Sequence, residues 1–562
     1  MTPPLSHSHL CIGPNLRSVS SPHTERSRRL HLSQFLNRNL DRVNVLGQDL
    51  TTGHSGQVCV NTLSWARDGE LLLTGGDDTT VRIWGLDAAN VSQEYPFVCR
   101  AVIQTGHRAN IFNAQMLPHS SRITTVAGDR EVRVFDIEEP RSVTINQRET
   151  IYGSRQACTN ILRCHKGRVK RIVTEHSPDL FLTVAEDGSV RQHDLRVSHN
   201  CGGRVCPPPL VKIKHSLSTL ALSPLTPYQF VVAGESPYGY LFDRRHVGRS
   251  LQEEWGMIPQ DSDDLTTCVR RFGRPQNTRN PRHARSEHIT GARMSAYNGH
   301  ELLLSYSADG VYLYSTADDP ASDSTTMTPT SPILPSNTKH RNFGESDAIK
   351  TSFEPDVSNQ TDVVELAASP SVNHRYPEHL NRAQSTDGHD TTTDEDDEDE
   401  YIEFMDAGPD EADLQPHVPV IMPRRRFDGA RNVETVKDVN FLGPINEFIT
   451  SGSDDGNFFI WHKATGALHG IYEGDSSVVN MVEGHPHLPL IAVSGIDTTV
   501  KLFASTKGSS KFSRIDNAEQ IIDTNMRLSS IQPLRYNLAT LLTHARLAMG
   551  ASEEGIPECR TQ

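Results

Sequence analysis

The chain has 562 residues, of which 36% are hydrophobic, with a mean hydropathy of -0.49 and a formal charge of -15. It is longer than one core needs and too polar for every residue to pack, so part of it is expected to stay unfolded. No stretch reaches the roughly 18 apolar residues of a membrane span, and the first thirty residues hold no apolar run of signal-peptide length, so the nine cysteines read as reduced thiols of a protein of the nucleus, the cytoplasm or both.

Residues 1–32 are rich in Ser, Pro, His and Arg and read as a disordered tail. Ser33 is placed to cap a helix over 33–44, where Phe35, Leu36, Leu40 and Val43 recur at helical spacing. From Gly53 a unit of strand, tight acidic turn and strand begins, and it returns along the chain. In the first copy, GHSGQVCVNTLSWARDGELLLTGGDDTTVRIW, Trp84 stands six residues after Asp78. The same interval separates Asp129 from Phe135, Asp187 from His193, Asp455 from Trp461 and Asp497 from Phe503. Ser236 takes the acidic place before Phe242, and Asp309 precedes Tyr314 by five. Such units cannot bury both faces alone, so the seven copies are expected to stack radially as an all-β, seven-bladed β-propeller. Closing the ring needs an outer strand for the last blade, and Val43 to Leu50 is the natural donor.

Blades one to five are expected over 45–315 and blades six and seven over 432–504, with flanking helices and long disordered insertions. A basic loop over 248–287, carrying Arg270, Arg271, Arg274, Arg279, Arg282 and Arg285, is set between blades four and five. An insertion over 316–431 precedes blade six; within it Ala383 to Pro423 holds 14 Asp and Glu and no Lys or Arg. Its unbroken run Asp394 to Glu400 repels itself and cannot support a core, so the segment is either a spacer or a surface for basic, histone-like partners. Residues 515–549 show a helical pattern divided by Pro533, and 550–562 form a second disordered tail.

No chemistry of an enzyme is legible: there is no phosphate-binding P-loop, no GxSxG elbow, no HExxH helix and no dinucleotide fingerprint. The paired histidines of GHPH and HARSEH fall in loops, and Cys201 and Cys206 with His199 leave a zinc set one ligand short, so no cofactor, metal or small-molecule substrate is expected. His54 and His107 are placed to bond Asp78 and Asp129, and recurrence at blade spacing makes such residues structural. Trp84, Asp187, Asp309, Asp455, Trp461 and Asp497 share that reading. A hydroxyl two residues before the turn Asp is present at Ser307 and Ser453 but replaced by Gly76, Ala127, Ala185 and Gly495, so packing is expected to hold several blades.

Two consecutive blades end their third strand in Asp-x-Arg: Asp194-Leu195-Arg196 and Asp243-Arg244-Arg245. On a rim, such arginines either pair with their own blade or offer a planar fork to a partner. These boxes, with HITGARMSAYNGHELLLSYSADGVYLY, VKDVNFLGPINEFITSGSDDGNFFIW and VVNMVEGHPHLPLIAVSGIDTTVKLF, resemble the WD-repeat substrate receptors of cullin-4 RING ubiquitin ligases, the cullin-4-associated factors. The similarity is to the subgroup containing the nuclear receptor-interacting WD-repeat factor with an IQ motif, over about residues 33–315 and 431–548. It implies a seven-bladed WD-repeat β-propeller that binds the ligase's triple-propeller adaptor through Asp194, Arg196, Asp243 and Arg245 and through Phe35, Leu36 and Leu40 of the N-terminal helix, and that presents a protein substrate. His193 and Phe242 stand where the family box has Trp, GHSGQVCVN is two residues longer than the family's GHxGCVN, and no IQ motif is present. Apart from the resemblance, the residues also suit a ligase-independent scaffold or a chromatin-associated coactivator.

Overall fold

The computed structural model describes residues 32–47, 59–87, 90, 94–137, 149–197, 201, 206–247, 266–275, 288–320, 418–506 and 508–531. His54, the extra residues of GHSGQVCVN, Arg279, Arg282, Arg285, Asp394 to Glu400 and residues 532–562 lie outside them. The described strands form seven antiparallel sheets of four core strands each, a seven-bladed β-propeller.

Alternation sets each blade. In Val60–Ala66, Leu71–Gly76 and Thr80–Leu86 of blade one, Leu63, Leu72, Leu73, Val81 and Ile83 are buried between neighbouring blades. Blade seven comprises Val479–Gly484, Leu490–Gly495, Val500–Ser505 and, from the other end of the chain, Leu40–Leu46, antiparallel to Val500–Ser505 with Leu46 opposite Val500. The closure strand thus overlaps the expected Val43 to Leu50 but starts three residues earlier, at Leu40, and ends at Leu46. The helix expected over 33–44 is corrected: helical geometry covers residues 32–36, and Leu40 is already in the strand. Helical and strand spacing coincide over so few residues, and closing the ring decides between them.

Both insertions attach to outer strands. Blade five takes Ile289–Met294, Glu301–Tyr306 and Val311–Ser315, but its fourth strand is Arg425–Phe427. The acidic insertion therefore interrupts blade five instead of separating it from blade six, and the disordered range expected to reach 431 is corrected from residue 418 onward. Val420–Ile421 runs parallel to Thr266–Phe272, the outer strand of blade four, which lies inside the expected basic loop. That loop is corrected as well. Arg271 is buried against the Tyr238 ring and donates from Nε to the Val418 carbonyl at 3.0 Å, while Arg274 pairs with Asp309.

Beyond blade seven, Ala518–Ile531 is helical and packs Ala518, Ile521 and Ile522 on the core of blades five and six. Its Asn525 donates to the Gly429 carbonyl at 2.8 Å and to Asp455 at 3.0 Å. Gly429 has φ +106, and a Cβ there would meet Ile522 at 2.9 Å, so only glycine admits the helix this closely.

Buried polar networks run through the blades. His107 contacts Asp129 at 2.9 Å through Nδ1 and Thr125 Oγ1 at 2.8 Å through Nε2. His165 repeats this with Asp187 at 3.3 Å and Thr183 at 2.8 Å, and Thr183 also meets His193 at 2.8 Å. In blade one Trp84 Nε1 donates to Thr74 at 3.0 Å. In blades one to three the network hydroxyl is therefore four residues before the turn Asp, at Thr74, Thr125 and Thr183, whereas in blade six the buried Ser453, two before Asp455, accepts from the Arg431 N–H at 2.9 Å. Burial opposes the charge on Asp129, but the His107 ring and the N–H groups of Arg108 and Glu131 outweigh it and hold the pKa down. Acid, imidazole and hydroxyl stand in hydrolase order, yet Thr125 and Thr183 are fully buried inside sheets, where no substrate reaches.

Blades six and seven use other pairs. Lys437 Nζ is fully buried against Asp454 and donates to the Thr435 carbonyl at 2.9 Å. Lys501 sits between Asp475, at 3.1 Å, and Asp497.

His485 shows how loops lock neighbouring blades. Nε2 donates to the Gly69 carbonyl of blade one at 3.0 Å, while Nδ1 accepts from the backbone of His487 at 3.0 Å and Leu488 at 2.8 Å. Only the neutral ring fits both roles, and burial pushes its pKa down to about 4. Since the folded pKa lies below the unfolded one, this contribution is complete above about pH 6.5 and is lost as pH falls toward 4. Denaturant titrations should show a loss of roughly 2 kcal/mol between pH 7 and pH 5. His485→Gln should flatten that dependence; an unchanged slope would show that the ring does not titrate this way.

Candidate protein-docking face

Strands alternate direction within a blade, so the loops joining first to second and third to fourth strands open on one face. The second-to-third turns, with the Asp129 and Asp187 networks, open on the other. The first box begins at the last residue of its third strand, Ser189–Asp194, and the second lies within Gly239–Val247; Asp194 and Asp243 stand opposite Leu180 and Gln229, the first residues of the second strands, so both boxes share the first face on adjacent blades.

Each carboxylate grips one edge of its arginine through two nitrogens. Arg196 donates to Asp194 from Nε at 2.9 Å and from its second terminal nitrogen at 2.7 Å, while its backbone N–H adds a third bond at 3.0 Å. Arg245 does the same to Asp243 at 2.9, 2.6 and 3.0 Å and lies 3.7 Å over the Tyr228 ring. The side chains nevertheless remain 62% and 60% exposed. The Arg196 guanidinium and backbone N–H hold the Asp194 pKa at about 2, so this grip persists across physiological pH. Arginine thus pairs with its own blade and is offered outward at once: the self-pairing fixes the rotamer and leaves one edge of the fork free of that pairing. The middle residue differs, since Arg244 turns to Glu175 of blade three at 2.8 Å.

The same face carries exposed apolar side chains. Val197 directly follows the first box, Leu225 lies in the loop that holds Tyr228, and Tyr297 and Ile445 occupy the corresponding loops of blades five and six; all are at least 44% exposed. Fixed arginines among exposed apolar groups have the composition of a protein interface.

Residues 32–36 also sit on this face, before the closure strand and across the ring from the boxes. Ser33 donates to Glu447 at 2.9 Å instead of capping the helix. Phe35, Leu36 and Leu40, expected to contact a partner, are 5%, 4% and 1% exposed and packed in the core of blades six and seven. Their apolar spacing served anchoring, and Gln34, Asn37 and Arg38 form the exposed edge. Among the expected blade residues, Asp78 binds Thr80 and Arg82, while Trp461 donates to the Asp428 carbonyl at 3.0 Å. Tyr228, Glu175 and Val197 were missed because no repeat spacing marks them; the Asp-x-Arg register, projected onto the face, would have found Val197.

Inside the ring, Arg171 of blade three reaches Asp438 of blade six at 3.2 Å, and Arg293 of blade five pairs with Glu483 of blade seven. These pairs tie blades that are not neighbours across the channel.

Fold and face together define a WD-repeat β-propeller of the scaffold class. The family described as WD domain, G-beta repeat matches residues 47–85. The chain is 36% identical over 274 residues to WD repeat protein iqw1 of Schizosaccharomyces pombe, covering 48% of this chain and 32% of that protein. It is 29% identical over 323 residues to DDB1- and CUL4-associated factor 6 of Homo sapiens, covering 56% and 33%. Protein ALTERED SEED GERMINATION 2 of Arabidopsis thaliana is 23% identical over 677 residues, covering 81% and 85%. The chain is similar to these proteins, and it spans about a third of the length of the first two.

Proposed function

We propose that the chain is a substrate receptor of a cullin-4 RING ubiquitin ligase, docking on the ligase's adaptor through Arg196 and Arg245 and holding a protein substrate for transfer by the other subunits. The observation that carries this reading is the pair of exposed, carboxylate-fixed arginines on adjacent blades of one face. The kinship with a protein named for DDB1 and CUL4 supports the choice of partner. A preset fork loses little rotamer freedom on binding, and the surrounding Val197 and Leu225 add apolar area. The receptor forms no covalent bond; it raises the local concentration of its substrate beside the charged conjugating enzyme. Its work is placed in the nucleus, the cytoplasm or both.

Co-precipitation of the adaptor with the full chain tests this. Arg196→Glu with Arg245→Glu should abolish capture, with circular dichroism checking that it is folded because Arg245→Glu strands the buried Asp243 carboxylate; Arg196→Glu alone, beside the partly exposed Asp194, should weaken capture while the thermal midpoint stays within about 2 °C. Undiminished capture by the double variant, or none by wild type, would overturn the interface.

A further inference from the structure

The loop that follows the first box contains a cluster the sequence hides. Cys164 comes just after the outer strand of blade two, Cys158–Leu162, whereas Cys201 and Cys206 belong to the connection between the third and fourth strands of blade three. Folding brings the three Sγ atoms within 4.8 Å of one another, with Cys164 and Cys201 at 3.6 Å.

We propose that Cys164, Cys201 and Cys206 form a zinc site that clips blade two to blade three at the outer rim. The spacing is the first argument. Zinc–thiolate bonds of about 2.3 Å at tetrahedral angles put sulfurs about 3.8 Å apart, close to the separation of Cys164 and Cys201, whereas a disulfide needs about 2.05 Å. The donor set is the second: three soft sulfurs favour zinc over magnesium or calcium. The setting is the third. The backbone N–H of Arg163 donates to Cys201 Sγ at 3.2 Å, an outer-sphere bond that stabilises a metal-bound thiolate. Cys164 is buried, and Cys201 and Cys206 pack partly buried against the same apolar cluster between blades two and three, so the sulfurs are shielded on that side. Among the described residues no fourth His, Cys, Asp or Glu joins the group, so the fourth position falls to water or another donor. His199, the third candidate by sequence, lies outside the described residues.

Binding replaces up to three thiol protons by one divalent ion, so affinity should fall as pH is lowered. The test uses the full chain purified under a phosphine reductant, with zinc measured by elemental mass spectrometry and cobalt(II) as a spectroscopic probe. One zinc per chain is expected, together with a cobalt complex showing sulfur-to-metal charge transfer and the visible bands of tetrahedral coordination. Cys201→Ser with Cys206→Ser should abolish both, and Cys206→Ser alone should weaken cobalt binding by roughly tenfold or more. Cys158→Ser, outside the cluster, should retain the metal, and circular dichroism shows which variants are folded. The proposal is overturned if reduced wild type takes up neither ion, if folded Cys206→Ser binds cobalt as tightly as wild type, or if peptide mapping without reductant finds Cys164 joined to Cys201 as a stable disulfide. None of these readouts involves the adaptor, so the site stands or falls separately from the docking reading.

Discussion

Replacing Leu40 and Leu46 together by Asp is expected to leave the protein without a stable closed ring. Both side chains are at most 2% exposed, and they cap the hydrophobic cluster that joins the closure strand to blades six and seven. Burial of each contributes about 1.5–3 kcal/mol, and an unpaired carboxylate in the same place adds a penalty of several kcal/mol. The sum rivals the ~5–15 kcal/mol that separates folded from unfolded states in most domains. The strand they anchor is the outer strand of blade seven, so its loss also exposes the edge of Val500–Ser505. Thermal denaturation and gel filtration measure this: the double variant should melt far below wild type or emerge aggregated. Arg38→Asp, on the exposed side of the same segment, should change stability by less than about 0.5 kcal/mol. A double variant that melts like wild type would show that closure does not depend on this strand.

Lys437→Met should be nearly as damaging for a different reason. Lysine and aspartate are both fully buried here, and Asp454 also accepts from the backbone of Val433 at 2.6 Å and of Glu434 at 2.9 Å. Burial pushes the Lys437 pKa down, although the Asp454 charge opposes this. Removing the ammonium leaves a buried carboxylate without its counter-charge, a loss of about 3–5 kcal/mol. Adding Asp454→Asn removes the stranded charge and should recover part of it. Urea denaturation of the two variants separates charge from packing: equal loss in both would mean that the pair acts through shape alone.

The difference between these two cases explains what could be read from the residues. The repeat of Asp and aromatic six apart is local, so the seven blades and the closing strand were legible. Lys437 and Asp454 are seventeen positions apart with no repeat to join them, and Cys164 meets Cys201 only because two blades stand side by side. The outer strand Arg425–Phe427 escaped notice because three residues at the end of an acidic insertion carry no alternation to detect. The N-terminal helix misled in a physical sense: Phe35, Leu36 and Leu40 are apolar because they anchor the segment, and the same pattern would mark a docking surface. The boxes are legible in the sequence, but that each holds a fixed guanidinium that stays exposed emerges only from the geometry of Asp194 and Asp243.

The placement of the acidic insertion changes how the ring is held together. Everything before it supplies three strands of blade five and the outer strand of blade seven; everything after it supplies the outer strand of blade five and three strands of blade seven. The two halves therefore embrace reciprocally, each completing a sheet begun by the other, as subunits do when they swap strands. With 109 residues between Ser315 and Arg425, doubling that length would add only about 0.6 kcal/mol of closure entropy. The length of the insertion is thus a minor term in the assembly, and evolution can lengthen, shorten or recode that stretch while two interlocked halves keep the propeller whole.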